Sequence, residues 1–238
     1  MNKFIFDVDG TLTPSRQTID PEFNKFFFDF VTTNDVYLIT GSDKDKTVEQ
    51  IGNVLFCTAK VVYNCSGNDV WSHGVNVKTN DWTAPKELMD LMHGWLQASN
   101  FPLRTGNHIE VRPGCVNFSI VGRNCTLGER KLYIKHDLES RERESIAYQI
   151  NTEFENITAK VGGETGIDIY PTGCDKSQII NDFNDHDKLI FFGDRQEPGG
   201  NDEPLSTAIA KRGNGKSYHV KDWKDTMEIL NESYVNRP

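Results

Sequence analysis

Four short apolar runs constrain this chain most: K-F-I-F at 3–6, V-Y-L-I-T at 36–40, A-K-V-V-Y-N at 59–64 and K-L-I-F-F-G-D at 188–194. Each reads as a strand, the last one buried and ending in an acid. The segment 21–31, P-E-F-N-K-F-F-F-D-F-V, reads as a helix opened by proline after Asp20, and a second helix follows near 44–52. Strands separated by helices of this length build a parallel sheet covered on both faces. A hairpin over 69–77 pivots at His73-Gly74.

The grammar changes after about residue 80. A helix over roughly 84–97 leads to H-I-E-V-R, a Pro-Gly turn and C-V-N-F-S-I-V, an antiparallel hairpin. T-L-G-E at 126–129 is a capping box, in which Thr126 caps a helix and Glu129 reaches back. Ile146, Ile150 and Phe154 recur at four-residue spacing on another helix, and strands follow near 157–161 and at 166–170. A short capped helix at 175–183 and the buried strand at 188–194 then restore the parallel pattern. The expected division is a core of residues 1–80 and 175–238, interrupted by an α+β insert with an antiparallel sheet over 81–174.

With 238 residues the chain can bury a proper core. A net charge of −9 and a pI near 5.2 argue against general nucleic-acid binding. No run approaches the roughly 18 apolar residues that cross a bilayer, and the amino terminus lacks a signal-peptide layout. Five cysteines (57, 65, 115, 125 and 174) show no C-x-x-C spacing. Reduced thiols in a cytoplasmic protein are the expectation, without disulfides or zinc.

The polar clusters fall where chemistry belongs. In an open parallel sheet, ligands bind beyond the carboxyl ends of the strands. There the sequence sets D-V-D-G-T at 7–11, T-G-S-D at 40–43, D-K at 175–176 and G-D-R-Q-E-P-G-G-N-D at 193–202. Two carboxylates one residue apart repel unless something positive sits between them. A divalent cation on Asp7 and Asp194 would cancel that repulsion, and with Lys176 and Ser42 would neutralise a phosphoryl group in transfer. A calcium loop is excluded, because no third ligand and no glutamate follow at the required spacing. Asp7 is the expected nucleophile, and Asp9, bent round by Gly10, the acid and base on the oxygen that leaves or attacks. Each cluster alone reads equally as a turn, a cap or a solvated lysine; their joint arrival in this order argues for a site.

These motifs resemble the haloacid dehalogenase (HAD) superfamily, whose fold is a Rossmann-like core with an inserted cap. Within it the chain resembles the eukaryotic-type phosphomannomutases, through F-D-V-D-G-T-L-T-P-S-R-Q (6–17), G-S-D (41–43), residues 110–130, G-I-D-I-Y-P-T-G-C-D-K (166–176) and F-F-G-D-R-Q-E-P-G-G-N-D (191–202). The resemblance implies magnesium on Asp7, the Asp9 backbone carbonyl and Asp194, and a hexose 1,6-bisphosphate activator. It also implies a small hexose phosphate as substrate, mannose 6-phosphate and mannose 1-phosphate interconverting through an aspartyl phosphate, and a homodimer paired through the cap. No nucleic-acid or membrane partner is expected.

The stretch 101–135 carries six basic residues, Arg104, Arg112, Arg123, Arg130, Lys131 and Lys135, against Glu110 and Glu129. A local +4 within an acidic chain suits an anion, and guanidinium forks match phosphate. By resemblance Arg16, Arg112, Arg123 and Arg130 contact the sugar phosphate, with Asn117 nearby, and Asp168 binds sugar hydroxyls. Three positions depart from the family pattern: Gly166 stands where serine is usual, Ala208 where an acid serves a second cation site, and C-S-G at 65–67 replaces E-N-G. A phosphatase on the same core, and a non-catalytic sugar-phosphate binder, are the alternative readings.

Overall fold

In the computed structural model, which describes residues 1–235, the chain opens with strand β1 (Asn2–Asp7) and helix α1 (Pro21–Thr33). Strand β2 (Val36–Ile39), helices α2 (Lys44–Ile51) and α3 (Asn53–Thr58), and strands β3 (Val61–Asn64), β4 (Asp69–Ser72) and β5 (Val75–Thr79) follow. Next come α4 (Lys86–Ala98), β6 (Ile109–Arg112), β7 (Cys115–Phe118), α5 (Leu127–Ser140), α6 (Glu142–Glu153), β8 (Ile157–Gly162) and β9 (Gly166–Pro171). The chain continues with a 3₁₀ turn over Lys176–Asp182, then β10 (Lys188–Gly193), α7 (Glu203–Arg212), β11 (Lys216–His219) and α8 (Trp223–Leu230), which runs into a π-helical turn over Asn231–Val235. Two units emerge: Met1–Thr79 with the chain from Asp175 onward, and Asn80–Cys174.

The first unit holds a seven-stranded sheet in the order β11-β10-β1-β2-β3-β4-β5, parallel from β11 to β3 and antiparallel beyond. Alternate side chains of a strand leave on opposite faces, and here both sets are apolar. Phe4, Phe6, Leu38, Val62, Ile190 and Phe192 pack with Phe23, Phe27 and Phe30 of α1. Ile5, Tyr37, Ile39, Leu189 and Phe191 pack on the other face with Ile179, Leu205 and Ile209. The Asp20 carboxylate caps α1 by accepting from the Glu22 and Phe23 N–H groups, with Pro21 in the first turn. The register pairs Phe6 with Phe192, so β1 and β10 end level and deliver Asp7 and Asp194 to one edge.

The second unit is a four-stranded antiparallel sheet, β6-β7-β9-β8. Val116, Phe118, Ile167, Ile169, Ile157 and Ala159 point to one face, where Leu88, Met92, Tyr133, Ile146 and Ile150 of α4, α5 and α6 cover them. The other face is polar. Across it the register runs Glu110, Asn117, Asp168 and Lys160 in a single row.

Four local differences from the sequence reading have plain causes. The helix expected over 44–52 stops at Ile51, because Gly52 at φ +79° breaks it, and a further helix fills Asn53–Thr58. The third strand therefore starts at Val61 rather than 59. The strand expected over 115–121 ends at Phe118, and the helix expected at 175–183 is a 3₁₀ turn capped by Asp175. Helices α7 and α8 and strand β11 form over residues that carried no helix or strand reading from the sequence.

Candidate active site

Asp7 ends β1 fully buried, and the buried ammonium of Lys176 donates to its Oδ1 at 2.5 Å and to Asp202 Oδ1 at 2.7 Å. Asp194 joins them just past β10. Its approach depends on Gly10, at φ +84°: a Cβ there would lie 2.2 Å from Asp194 Oδ2. Asp7, Asp194 and Asp202 each offer an oxygen within 4.8 Å of the others. Asp202 went unassigned in the sequence, although it closes the G-G-N-D motif. The available signal was its place immediately before a helix with proline in the first turn, although the side chain makes no cap bond there. Its second oxygen, Oδ2, accepts the Arg195 N–H at 3.0 Å.

Three carboxylates against one ammonium leave the cluster short of positive charge. Burial raises the Asp7 carboxyl well above its ordinary value against the pull of Lys176, with Asp202 and Asp194 adding to the rise. Burial and the Asp202 charge push Asp194 up to about 6. Burial disfavours the Lys176 charge, but Asp202 and Asp7 outweigh it and keep the amine protonated. A crowded set of hard oxygen donors with unbalanced negative charge fits a divalent cation such as magnesium.

The Asp9 side chain makes separate contacts. Its Oδ1 accepts from the Arg16 N–H at 2.8 Å and from Gln50 Nε2 at 2.9 Å, and Ser42 Oγ donates to Oδ2 at 3.3 Å. Gln50, buried in α2, carried no assignment from the sequence. Arg16 itself is exposed at φ +59° and serves this carboxylate through its backbone. The turn at 65–67 buttresses the Ser42 loop: Cys65 N–H donates to the Ser42 carbonyl and Ser66 N–H to that of Thr40, while Gln178 Nε2 reaches the Ser66 carbonyl. Ala208 lies within α7 and brings no acid.

In the second unit Glu110 Oε2 accepts from Arg112 Nη2 at 2.6 Å and pairs with Arg123 Nε at 2.9 Å. Arg130 Nη1 reaches Glu164 at 3.2 Å, and Asn117 Nδ2 donates to Asp168 Oδ1 at 2.6 Å. Burial disfavours the Arg112 charge, but Asp168 and Glu110 more than restore it. Burial and the neighbouring Arg112 push Arg123 below its ordinary value. The local +4 of the linear stretch does not survive folding. Arg104 is spent on the carbonyls of Leu96, Ser99, Phe101 and Leu103, and Lys131 and Lys135 lie exposed. What remains is three arginines interleaved with Glu110, Glu164 and Asp168. Such pairs hold guanidinium groups in place, and an entering phosphate exchanges one anionic partner for another.

A family model described as eukaryotic phosphomannomutase matches residues 23–236. Phosphomannomutase of Drosophila melanogaster is 31% identical over 242 residues, covering 96% of this chain and 93% of its own. Phosphomannomutase 1 of Mus musculus is 34% identical over 210 residues, covering 83% and 80%. Among solved structures, a haloacid dehalogenase-like hydrolase from Bacteroides thetaiotaomicron superposes with a TM-score of 0.63 at 12% identity, covering 98% of this chain and 100% of its own. An IMP-nucleotidase mutant of Plasmodium falciparum gives 0.64 at 15%, covering 97% and 67%. At such identities these two establish the fold alone. No helix among the described residues is long and apolar enough to cross a membrane.

Proposed function

This chain belongs to the eukaryotic phosphomannomutase family, and on that premise we propose that it interconverts mannose 6-phosphate and mannose 1-phosphate through a phosphoryl group carried on Asp7. The observation that carries the reading is the buried Asp7–Lys176–Asp202 cluster with Asp194 alongside. Lys176 occupies Asp7 Oδ1 and leaves the other oxygen to attack phosphorus. The oxygen–phosphorus bond to the sugar of a hexose 1,6-bisphosphate breaks as the new bond to Asp7 forms, and Asp9 gives its proton to the departing sugar oxygen. In return, Asp9 takes the proton of the other sugar hydroxyl, which attacks the aspartyl phosphate and frees Asp7. Arg16 N–H and Gln50 orient Asp9 through Oδ1, leaving Oδ2, beside Ser42, for that proton.

Asp7, Asp194 and Asp202, with the Asp9 carbonyl, would hold magnesium, which supplies positive charge for the phosphoryl oxygens. Arg112, Arg123 and Arg130 are assigned to the phosphate that is not reacting, and Asp168, with Asn117 bonded to it, to the sugar hydroxyls. A homodimer through the second unit belongs to the same reading. Leu127 and Leu138, three turns apart on α5 and 77% and 76% exposed, supply apolar surface for it to cover.

The test is a coupled assay with mannose 1-phosphate, magnesium and a hexose 1,6-bisphosphate. Isomerisation without stoichiometric phosphate release is expected, and Asp7→Asn should abolish it with an unchanged far-UV spectrum. Release of one phosphate per sugar would make the protein a hydrolase, and activity surviving in Asp7→Asn would reject the nucleophile.

A further inference from the structure

The polar face of the second unit has two bare positions. Gly166 starts β9, and Gly162 ends β8 opposite it. Two residues along β9 stands Asp168, with Asn117 of β7 directly across from it. Both side chains lean over the bare backbone. A Cβ at Gly166 would lie 2.7 Å from Asn117 Nδ2 and 3.0 Å from its Oδ1, and one at Gly162 would lie 2.1 Å from Asp168 Oδ2. The carboxamide therefore occupies space that any residue other than glycine at 166 would claim.

That pose is costly to Asn117. It is 4% exposed, and its buried Oδ1 finds no hydrogen-bond donor among the described residues. A buried acceptor left unmade disfavours the folded state. Among the described residues the single bond that keeps the side chain there runs from Nδ2 to Asp168 Oδ1 at 2.6 Å. Asp168 remains partly exposed, and it is close enough to Arg112 and Arg123 to strengthen the charge of both.

We propose that Asn117 is a positioning residue for hydroxyl recognition. Seated on the bare backbone of Gly166, it locks the Asp168 carboxylate in the one orientation that accepts from a hexose hydroxyl while the adjacent arginines hold the phosphate. Gly166 thereby determines how well a sugar phosphate, as distinct from a bare phosphate, is recognised. The inference rests on the hexose-phosphate reading above and adds to it an indirect role for Asn117 and a cause for the glycine.

The experiment is a double-mutant cycle on the full chain: Gly166→Ala, Asn117→Ala and the pair, each checked by a thermal melt. Each single change is expected to raise KM for mannose 1-phosphate about tenfold and leave kcat within about twofold. The double variant should be no worse than either single one, because alanine at 166 acts only by expelling Asn117. Inhibition by inorganic phosphate should stay within about twofold of wild type, which a general loosening of the unit would not allow. If Gly166→Ala fails to fold, the double variant has room for the new Cβ and carries the test in its place, compared with Asn117→Ala. Wild-type kinetics in Asn117→Ala, additive losses, or an equal loss of phosphate inhibition would overturn the proposal. If the wild-type chain binds mannose 1-phosphate without turning it over, the mutase reading falls, and the same cycle read as Kd by calorimetry still decides this one. Absence of binding overturns both.

Discussion

Asp194 shows how far single side chains are bent by the site. Its carboxyl is pushed up to about 6 by burial and by Asp202, against about 4 in an unfolded chain. Between these values Asp194 holds a proton in the folded protein that it has lost in the unfolded chain, so its own contribution to metal-free stability falls as pH rises from about 4 to about 6. The loss from this group is on the order of 2 kcal/mol. Magnesium at pH 7 should reverse it, because a ligand that binds only the folded state stabilises by mass action. We expect chelated protein to melt several degrees lower at pH 7 than with about 10 mM magnesium. Asp194→Asn should flatten the pH dependence and remove most of the magnesium effect. Equal melting temperatures with and without the metal would exclude the trio as its site. At this scale the sequence named Asp7, Asp194 and Lys176, which lie together in the structure, because each stands at or just past the end of a strand or at the start of a turn. It could not name Asp202's bond to Lys176 or Gln50's to Asp9, since these are long-range contacts without a local pattern.

At the scale of elements, most of what periodicity and capping control was readable, although α8, capped by Asp222, went unread, and what tertiary packing controls was not. The capping box is formed as written: Glu129 N–H donates to Thr126 Oγ1, and Thr126 N–H donates to Glu129 Oε2. The hairpins at His73-Gly74 and across Pro113-Gly114 are present for the same local reason. α3 was missed because a six-residue helix carries too little periodicity, and β11 because its residues, K-S-Y-H, have no apolar run. On the proposed function the cap also bears on phosphate binding, since Arg130 lies in the turn that Thr126 opens. Thr126→Ala should cost about 1 kcal/mol and lower the melting temperature by a few degrees. It should raise KM for hexose phosphate more than it lowers kcat, with Thr126→Ser restoring both. A KM unchanged despite lost stability would separate this helix start from phosphate binding.

At the scale of the molecule, the two units carry independent cores, and this has a consequence for folding. Asn80–Cys174 is a single uninterrupted segment of about 95 residues, within the ordinary domain range. Its core joins Leu88, Met92, Phe101, Val116, Phe118, Tyr133, Ile146, Ile150 and Ile169 across one sheet and three helices. The first unit is assembled from two distant stretches, and its strand pair β1 and β10 joins residues more than 180 positions apart in sequence. Local contacts form faster than distant ones, so the second unit should fold first and need nothing from the rest of the chain. Expressed alone, residues 80–174 should show a near-UV aromatic spectrum and a cooperative thermal transition. Placing charge on exposed apolar surface that a dimer would bury costs association and spares the fold. The isolated segment should therefore sediment as a dimer, and a Leu127→Glu, Leu138→Glu variant should sediment as a monomer with an unchanged melt. A segment without a cooperative transition would tie its core to the other unit, and a variant that stays dimeric would move the interface off α5.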